Sequence, residues 1–268
     1  MINRLSKLFI AVLFFIGNNF YRMICRFIGK HIQPTLIIIT YHQVKASQIT
    51  HFEKQMNMLL KYGTPISLSD GVAMLKSGNN FAVTFDDAYQ SVLQNAIPIL
   101  REKNIPATIF VPAGYLGRKP LWIKNQNHNY ASETVATEAQ LKVLPADLIT
   151  IGSHTVTHIN LTNVDEKIAK REIFESKEIL ERILNKKITL FAAPYATLND
   201  NFTDLFKQAG YQRVFLNIPT FPATSTNLYI LGRTSVAPTD WPIEYRLKLS
   251  GAYQWLPLAI GLKKKLLG

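Results

Sequence analysis

The chain has 268 residues, 47% of them hydrophobic, enough to build the core of one large α/β domain. Its 30 lysines and arginines against 18 acidic residues give a formal net charge of +12, which favours nucleic acid, anionic lipid or a phosphate-bearing substrate. There is no zinc-finger spacing, no RNP-type aromatic motif and no glycine-rich phosphate loop, so nucleic acid is set aside as a partner, and the single cysteine, Cys25, excludes an intramolecular disulfide.

The first element in chain order is the apolar run LFIAVLFFI at 8–16, preceded by Arg4 and Lys7 and followed by NNFYRMICRFIGK. The uninterrupted run is short for a spanning helix, which needs about 20 apolar residues, and no small-x-small cleavage site follows it cleanly. Residues 1–30 are therefore expected to form a membrane-associated helix, lying in the interface or tilted to about Ile28 with Arg22 and Arg26 snorkelling. Residues 31–250 alternate apolar runs with helical patterns. Strands are expected at 35–42, 81–87, 107–112, 148–154, 188–195, 211–217 and 228–233, all short and with little polar alternation, as strands buried on both faces should be. Helices are expected at 51–62, 69–77, 88–103 with a kink at Pro98, 137–144, 163–184 and 199–209. In the fifth of these, Ala169, Ile173, Ser176, Leu180 and Ile183 form one uncharged stripe. Strand and helix in strict turn imply parallel pairing, and about seven repeats imply a barrel. Residues 112–136 form one long polar loop, a lid or rim. The last segment, 251–268, holds WLPLAIGLKKKLLG and is expected to be an amphipathic basic tail. Both termini point to an anionic membrane surface as a partner. Cations flank the first helix on both sides and leave its topology open, while the basic main domain favours the cytoplasmic face of a bacterial inner membrane, the alternative being a membrane-tethered periplasmic or extracellular protein.

The chemistry gathers at strand ends, where parallel α/β folds place their functional groups. The second strand, FAVTFDD, ends on two adjacent acids, Asp86 and Asp87. Neighbouring strand residues face opposite ways, so two acids can share a cleft only where the strand stops, and there they need a cation or proton between them. The other polar residues at strand ends are His42, His154, His158, Tyr195 and Arg233. In SHTVTH the two imidazoles stand four apart, a spacing that suits a divalent metal.

TFDDAY, SHTVTH and APY together resemble the first three motifs of the polysaccharide deacetylase family, also called the NodB-homology or carbohydrate esterase 4 family, over roughly residues 34–250. The resemblance implies a distorted (β/α)7 barrel and a metal-dependent N-deacetylase. It makes Asp86 the general base and Asp87, His154 and His158 the ligands of a divalent metal, most often Zn2+, with Co2+, Ni2+ or Mn2+ as substitutes. It also places Pro194 and Tyr195 beside the site, with the Tyr195 backbone N–H as an oxyanion donor. The family's usual acid, a histidine in a C-terminal Leu-x-His motif, is missing, since no histidine follows His158. IIITYHQV, however, resembles the first strand of a permuted, biofilm-polysaccharide branch, which assigns the acid to His42. The motif R-x-P-Y is replaced by AAPY, so Ala192 stands where an arginine would hold the base, and Arg233 is the candidate replacement. Asp240 and Trp241 in APTDW resemble a fourth motif whose tryptophan walls the acetyl pocket.

The family removes acyl groups, usually N-acetyl, from amino sugars. With membrane-prone ends and a charge of +12, the expected substrate is an N-acetylated amino-sugar glycan or glycolipid on a membrane anchor, of polyprenyl-phosphate or lipid A type. The alternatives are an exopolysaccharide or peptidoglycan deacetylase, a phosphoesterase using the same ligands, and a non-catalytic metal-containing glycan binder.

Overall fold

The computed structural model describes residues 3–30, 34–69, 75–196, 202–219, 229–257 and 259. The seven expected strands are present as β1 (Thr35–Tyr41), β3 (Asn79–Phe85), β4 (Ala107–Val111), β5 (Ile149–Ser153), β6 (Leu190–Ala192), β7 (Arg213–Leu216) and β8 (Ile230–Gly232). Two short strands join them, β2 (Thr64–Pro65) and β9 (Thr234–Ser235). The order is β8-β7-β6-β5-β4-β3-β1-β9, with β2 beside β3 and every pairing parallel. β8 sits on β7 and β9 sits on β1, and only Arg233 separates them. One short stretch of chain thus reaches both edges of the sheet, giving a nearly closed barrel of the distorted (β/α)7 type. No sequence period announces this closure, because a two-residue strand carries none.

Side-chain alternation builds two cores. Ile37, Ile39 and Tyr41 of β1 and Phe81, Val83 and Phe85 of β3 belong to the large cluster between strands and helices. Leu36 and Ile38, Ala82, Phe110, Ala192 and Phe215 point the other way and fill the barrel. Gly152 is required for that filling, because a Cβ there would stand 2.5 Å from the Phe110 ring. Within the interior row of β3, Ala82 and Thr84 lead directly to Asp86.

The helices are α1 (Arg4–Phe27), α2 (Ile49–Tyr62), α3 (Gln90–Asn95), α4 (Ile97–Glu102), α5 (Glu138–Lys142), α6 (Glu166–Leu184), α7 (Thr203–Gln208) and α8 (Pro242–Leu249). The expected 88–103 helix is two short ones, since Pro98 fits the first turn of a new helix and not the interior of an old one. The expected 69–77 helix falls largely outside the described residues. In α6 the stripe of Ala169, Ile173, Ser176 and Leu180 is buried as read, and Glu172 is buried with it. Packing continues beyond residue 250: Ala252, Tyr253 and Trp255, assigned to the tail, are buried, while 258 and 260–268 lie outside the described residues. α1 lies against α8, with Ala11 packed on Leu247, Ala252 and Tyr253.

Candidate active site

Because all the strands are parallel, their C-terminal ends share one rim, and β1, β3, β5, β6 and β8 each deliver a polar residue to it. Asp86 continues the ladder of β3, its N–H donating to the Tyr41 carbonyl at 2.9 Å. Asp87 then takes a positive φ of 67°, which breaks the alternation and lets both carboxyls serve one cleft. Among the described residues seven non-glycine positions have positive φ. Five of them, Asp87, Ala88, Thr155, His158 and Tyr195, lie in or beside this cluster. Such conformations cost about 1–3 kcal/mol each and persist where the surroundings impose them.

Asp87, His154 and His158 form one buried group whose ligand atoms all lie within 4.8 Å of one another. His158 Nε2 is 3.1 Å and His154 Nε2 3.7 Å from Asp87 Oδ1. His154 Nδ1 donates to the Ala192 carbonyl at 2.8 Å, which turns the lone pair of Nε2 toward the acid. The residue standing where arginine was expected therefore supports the site through its backbone. Burial pushes His154 down to about 4, the neutral form that a metal ligand needs. Burial opposes ionisation of Asp87 too, but the neighbouring His158 ring, with His42 and His154, holds it well below the usual carboxylate range. Asp87 Oδ1 and His158 Nδ1 are buried without hydrogen-bond partners. Two nitrogens and one oxygen with an unmatched acceptor between them fit a divalent cation of the zinc class, and three protein ligands leave positions for water and substrate.

Asp86 is held by a different charge. Arg233, fully buried at the bend between β8 and β9, donates from Nη1 to Oδ1 at 2.6 Å and from Nη2 to Oδ2 at 2.8 Å. Nη1 also reaches the Thr40 and Thr84 hydroxyls, each at 3.2 Å, and the guanidinium lies 5.0 Å from the Phe110 ring centroid. Burial raises the Asp86 carboxyl, yet Arg233, followed by His154 and His42, outweighs it and keeps the group below its ordinary value. The closure of the expected barrel through β8 and β9 is thus what brings the cation to the acid.

His42 follows β1, half-buried, its ring parallel to Tyr130 at 5.4 Å and 8°. Tyr195, 55% exposed, meets His158 edge-on at 5.2 Å, on the turn that begins with Pro194. Asp240 and Trp241 have other settings. Asp240 Oδ2 accepts from Ala237 N–H at 3.0 Å and from Lys248 Nζ at 2.7 Å, and Trp241, the residue before α8, lies under Arg4 at 4.3 Å. These contacts link α1 to the start of α8.

Three contributors escaped the sequence reading. Trp122 stacks on His158 at 4.4 Å and 14°, with Tyr115 edge-on behind it, and Tyr130 covers His42, so the 112–136 loop forms two aromatic walls. It is pinned at both ends. Gly114 N–H donates to the Val156 carbonyl, which a Cβ at Gly114 would meet at 2.8 Å, and Tyr89 bridges Val135 beside the acids. Glu172 accepts from the Val156 and Thr157 N–H groups and the Thr157 hydroxyl, each at 2.8 Å, fixing the turn between the two histidines. A carboxylate inside the otherwise uncharged stripe of α6 was the available signal.

An all-parallel barrel thus carries, on its C-terminal rim, an Asp-His-His cluster that could hold a metal ion and an arginine-held carboxylate beside it. A family model described as Polysaccharide deacetylase matches residues 76–214, more than half of the chain, and the chain belongs to that family, hydrolases of carbohydrate amide bonds. The YxkH protein of Bacillus subtilis (strain 168) is 26% identical over 214 residues, covering 76% of this chain and 72% of its own length. The poly-beta-1,6-N-acetyl-D-glucosamine N-deacetylase of Staphylococcus aureus (strain MRSA252) is 25% identical over 224 residues, covering 78% and 72%. Among solved structures, IcaB from Ammonifex degensii matches with a TM-score of 0.66 at 23% identity over 82% of this chain and 97% of that one, which shows the shared fold.

Proposed function

We propose that the protein is a divalent-metal-dependent N-deacetylase acting on an N-acetylated amino sugar carried by a membrane-linked glycan or lipid. The observation that carries the chemistry is the Asp87, His154 and His158 cluster beside the Asp86–Arg233 pair. Asp87, His154 and His158 would hold the ion, with zinc favoured by the N2O donor set. When bound, such an ion lowers the pKa of water and polarises an acyl carbonyl. Asp86 takes the proton of the attacking water; Arg233 uses one lone pair of each carboxylate oxygen and leaves the others free. The Tyr195 backbone N–H donates to the oxyanion of the tetrahedral intermediate. His42, kept in plane by Tyr130 and near enough for its charge to act on both acids, protonates the departing amine as the C–N bond breaks. Acetate and the free amino sugar leave.

The net charge of +12 and the long apolar helix α1 support a substrate attached to a membrane through phosphate. The name of the Staphylococcus aureus relatives favours a second reading, a β-1,6-linked N-acetylglucosamine polymer. Acetate release from an undecaprenyl-phosphate N-acetyl amino sugar and from a soluble β-1,6-linked oligosaccharide, compared by kcat/KM, separates the two. The first reading expects the lipid-linked substrate to be preferred by about tenfold or more, a difference of about 1.4 kcal/mol in transition-state binding. Equal values overturn the argument from charge and helix.

A further inference from the structure

α1 is 24 residues long and apolar enough, by length and composition, to cross a membrane. Its packing shows a different use. At about 100° per residue, Phe9, Leu13, Ile16, Phe20, Met23 and Phe27 fall within an arc of about 80° along the whole helix, and each is more than half exposed. All four cations of the helix, Arg4, Lys7, Arg22 and Arg26, project from the opposite side. That opposite side is already bound to the catalytic domain. Ala11 is fully buried, Leu8 and Phe15 pack with it against Leu247, Ala252 and Tyr253, and Arg4 donates to Glu244 at 2.6 Å.

We infer that α1 is an in-plane anchor: it lies flat on an anionic bilayer, its apolar face sunk to the boundary of headgroups and acyl chains, its other face still docked on α8. Two observations exclude a crossing in the docked state. The uncharged stretch from Leu8 to Tyr21 is about 21 Å long at about 1.5 Å per residue, short of a hydrocarbon core of about 30 Å. A crossing helix would also carry α8 into hydrocarbon, with Glu244, Arg246 and Lys248 on it. Charge selects a lipid surface over a second copy of the chain. Each copy bears +12, which repels another copy and is drawn to anionic headgroups, and the helix carries cations at both ends at headgroup depth. The inference deepens the membrane-linked reading of the substrate but does not depend on the chemistry of the site.

The test uses the full chain. It is expected to sediment with phosphatidylcholine vesicles containing phosphatidylglycerol and to remain in solution with phosphatidylcholine alone. A Phe9→Ser, Phe20→Ser double variant, altered only at exposed positions, is expected to lose about tenfold or more in vesicle partitioning while releasing acetate from a soluble N-acetylglucosamine oligosaccharide as the wild type does. In a Cys25→Ser background reconstituted in vesicles, cysteines placed by Ser6→Cys and Lys30→Cys are both expected to react with an impermeant maleimide from outside. Labelling of one end only after lysis would establish a span and overturn the inference. So would a concentration-dependent dimer that ignores anionic vesicles, or a monomer that ignores them. Failure of acetate release with vesicle binding intact would instead count against the proposed chemistry alone.

Discussion

Replacing Asp86 with asparagine is expected to lower kcat for acetate release about a thousandfold, inside the range of 10²–10⁴ typical of a general base, with one divalent ion still bound per chain. The amide oxygen can still accept from Arg233 but cannot take a proton, and the three ligand atoms belong to other residues. Asp87→Ala should behave differently, losing the ion and the activity together, because Asp87 Oδ1 is the only oxygen in the ligand set. The measurement is turnover of each folded variant beside its metal content. An Asp86→Asn protein that turns over like the wild type would assign the base to another group.

The second large effect concerns Arg233. Arg233→Met is expected to cost about 3–5 kcal/mol of stability, the usual penalty for leaving half of a buried pair behind, and to abolish most activity. Asp86 is 3% exposed and both its oxygens are met by this one guanidinium, so methionine fills the space and abandons the charge. Arg233→Lys should be milder in urea unfolding, since it keeps the charge and loses only the planar fork. If the methionine variant unfolds at the wild-type urea midpoint, the pair is not what holds the base.

The strands and the Asp-His-His cluster were legible for a physical reason. A strand buried on both faces must be a continuous apolar run, and β1, β3 and β4 read so directly. Asp86, Asp87, His154 and His158 stood out jointly, at or just beyond the ends of such runs, and the family resemblance set Asp87, His154 and His158 apart as a group. The adjacent acids posed the sharpest question. Its answer, a left-handed backbone at Asp87, is a conformation that a sequence of L-residues does not announce. Arg233 was suspected without its path, because its role depends on β8 and β9 joining opposite edges of the sheet, a tertiary event with no local pattern. Trp241 shows the limit of a local motif. The local string resembles a family motif, while its contact with Arg4, 237 residues earlier in the chain, has no local signal. Trp122 and Tyr130 lay in a polar loop without periodicity, so nothing before folding connected them with His158 and His42.

The central claim is tested most directly by stripping the protein with a chelator and titrating it with Zn2+ or Co2+ while acetate release is followed on an N-acetyl amino-sugar substrate. The account predicts no release from the stripped protein and a linear recovery that stops at one equivalent, with Co2+ giving the visible spectrum of a nitrogen- and oxygen-ligated site, and no recovery for His158→Ala. Full acetate release from metal-free protein, or recovery that ignores the loss of His158, would contradict it.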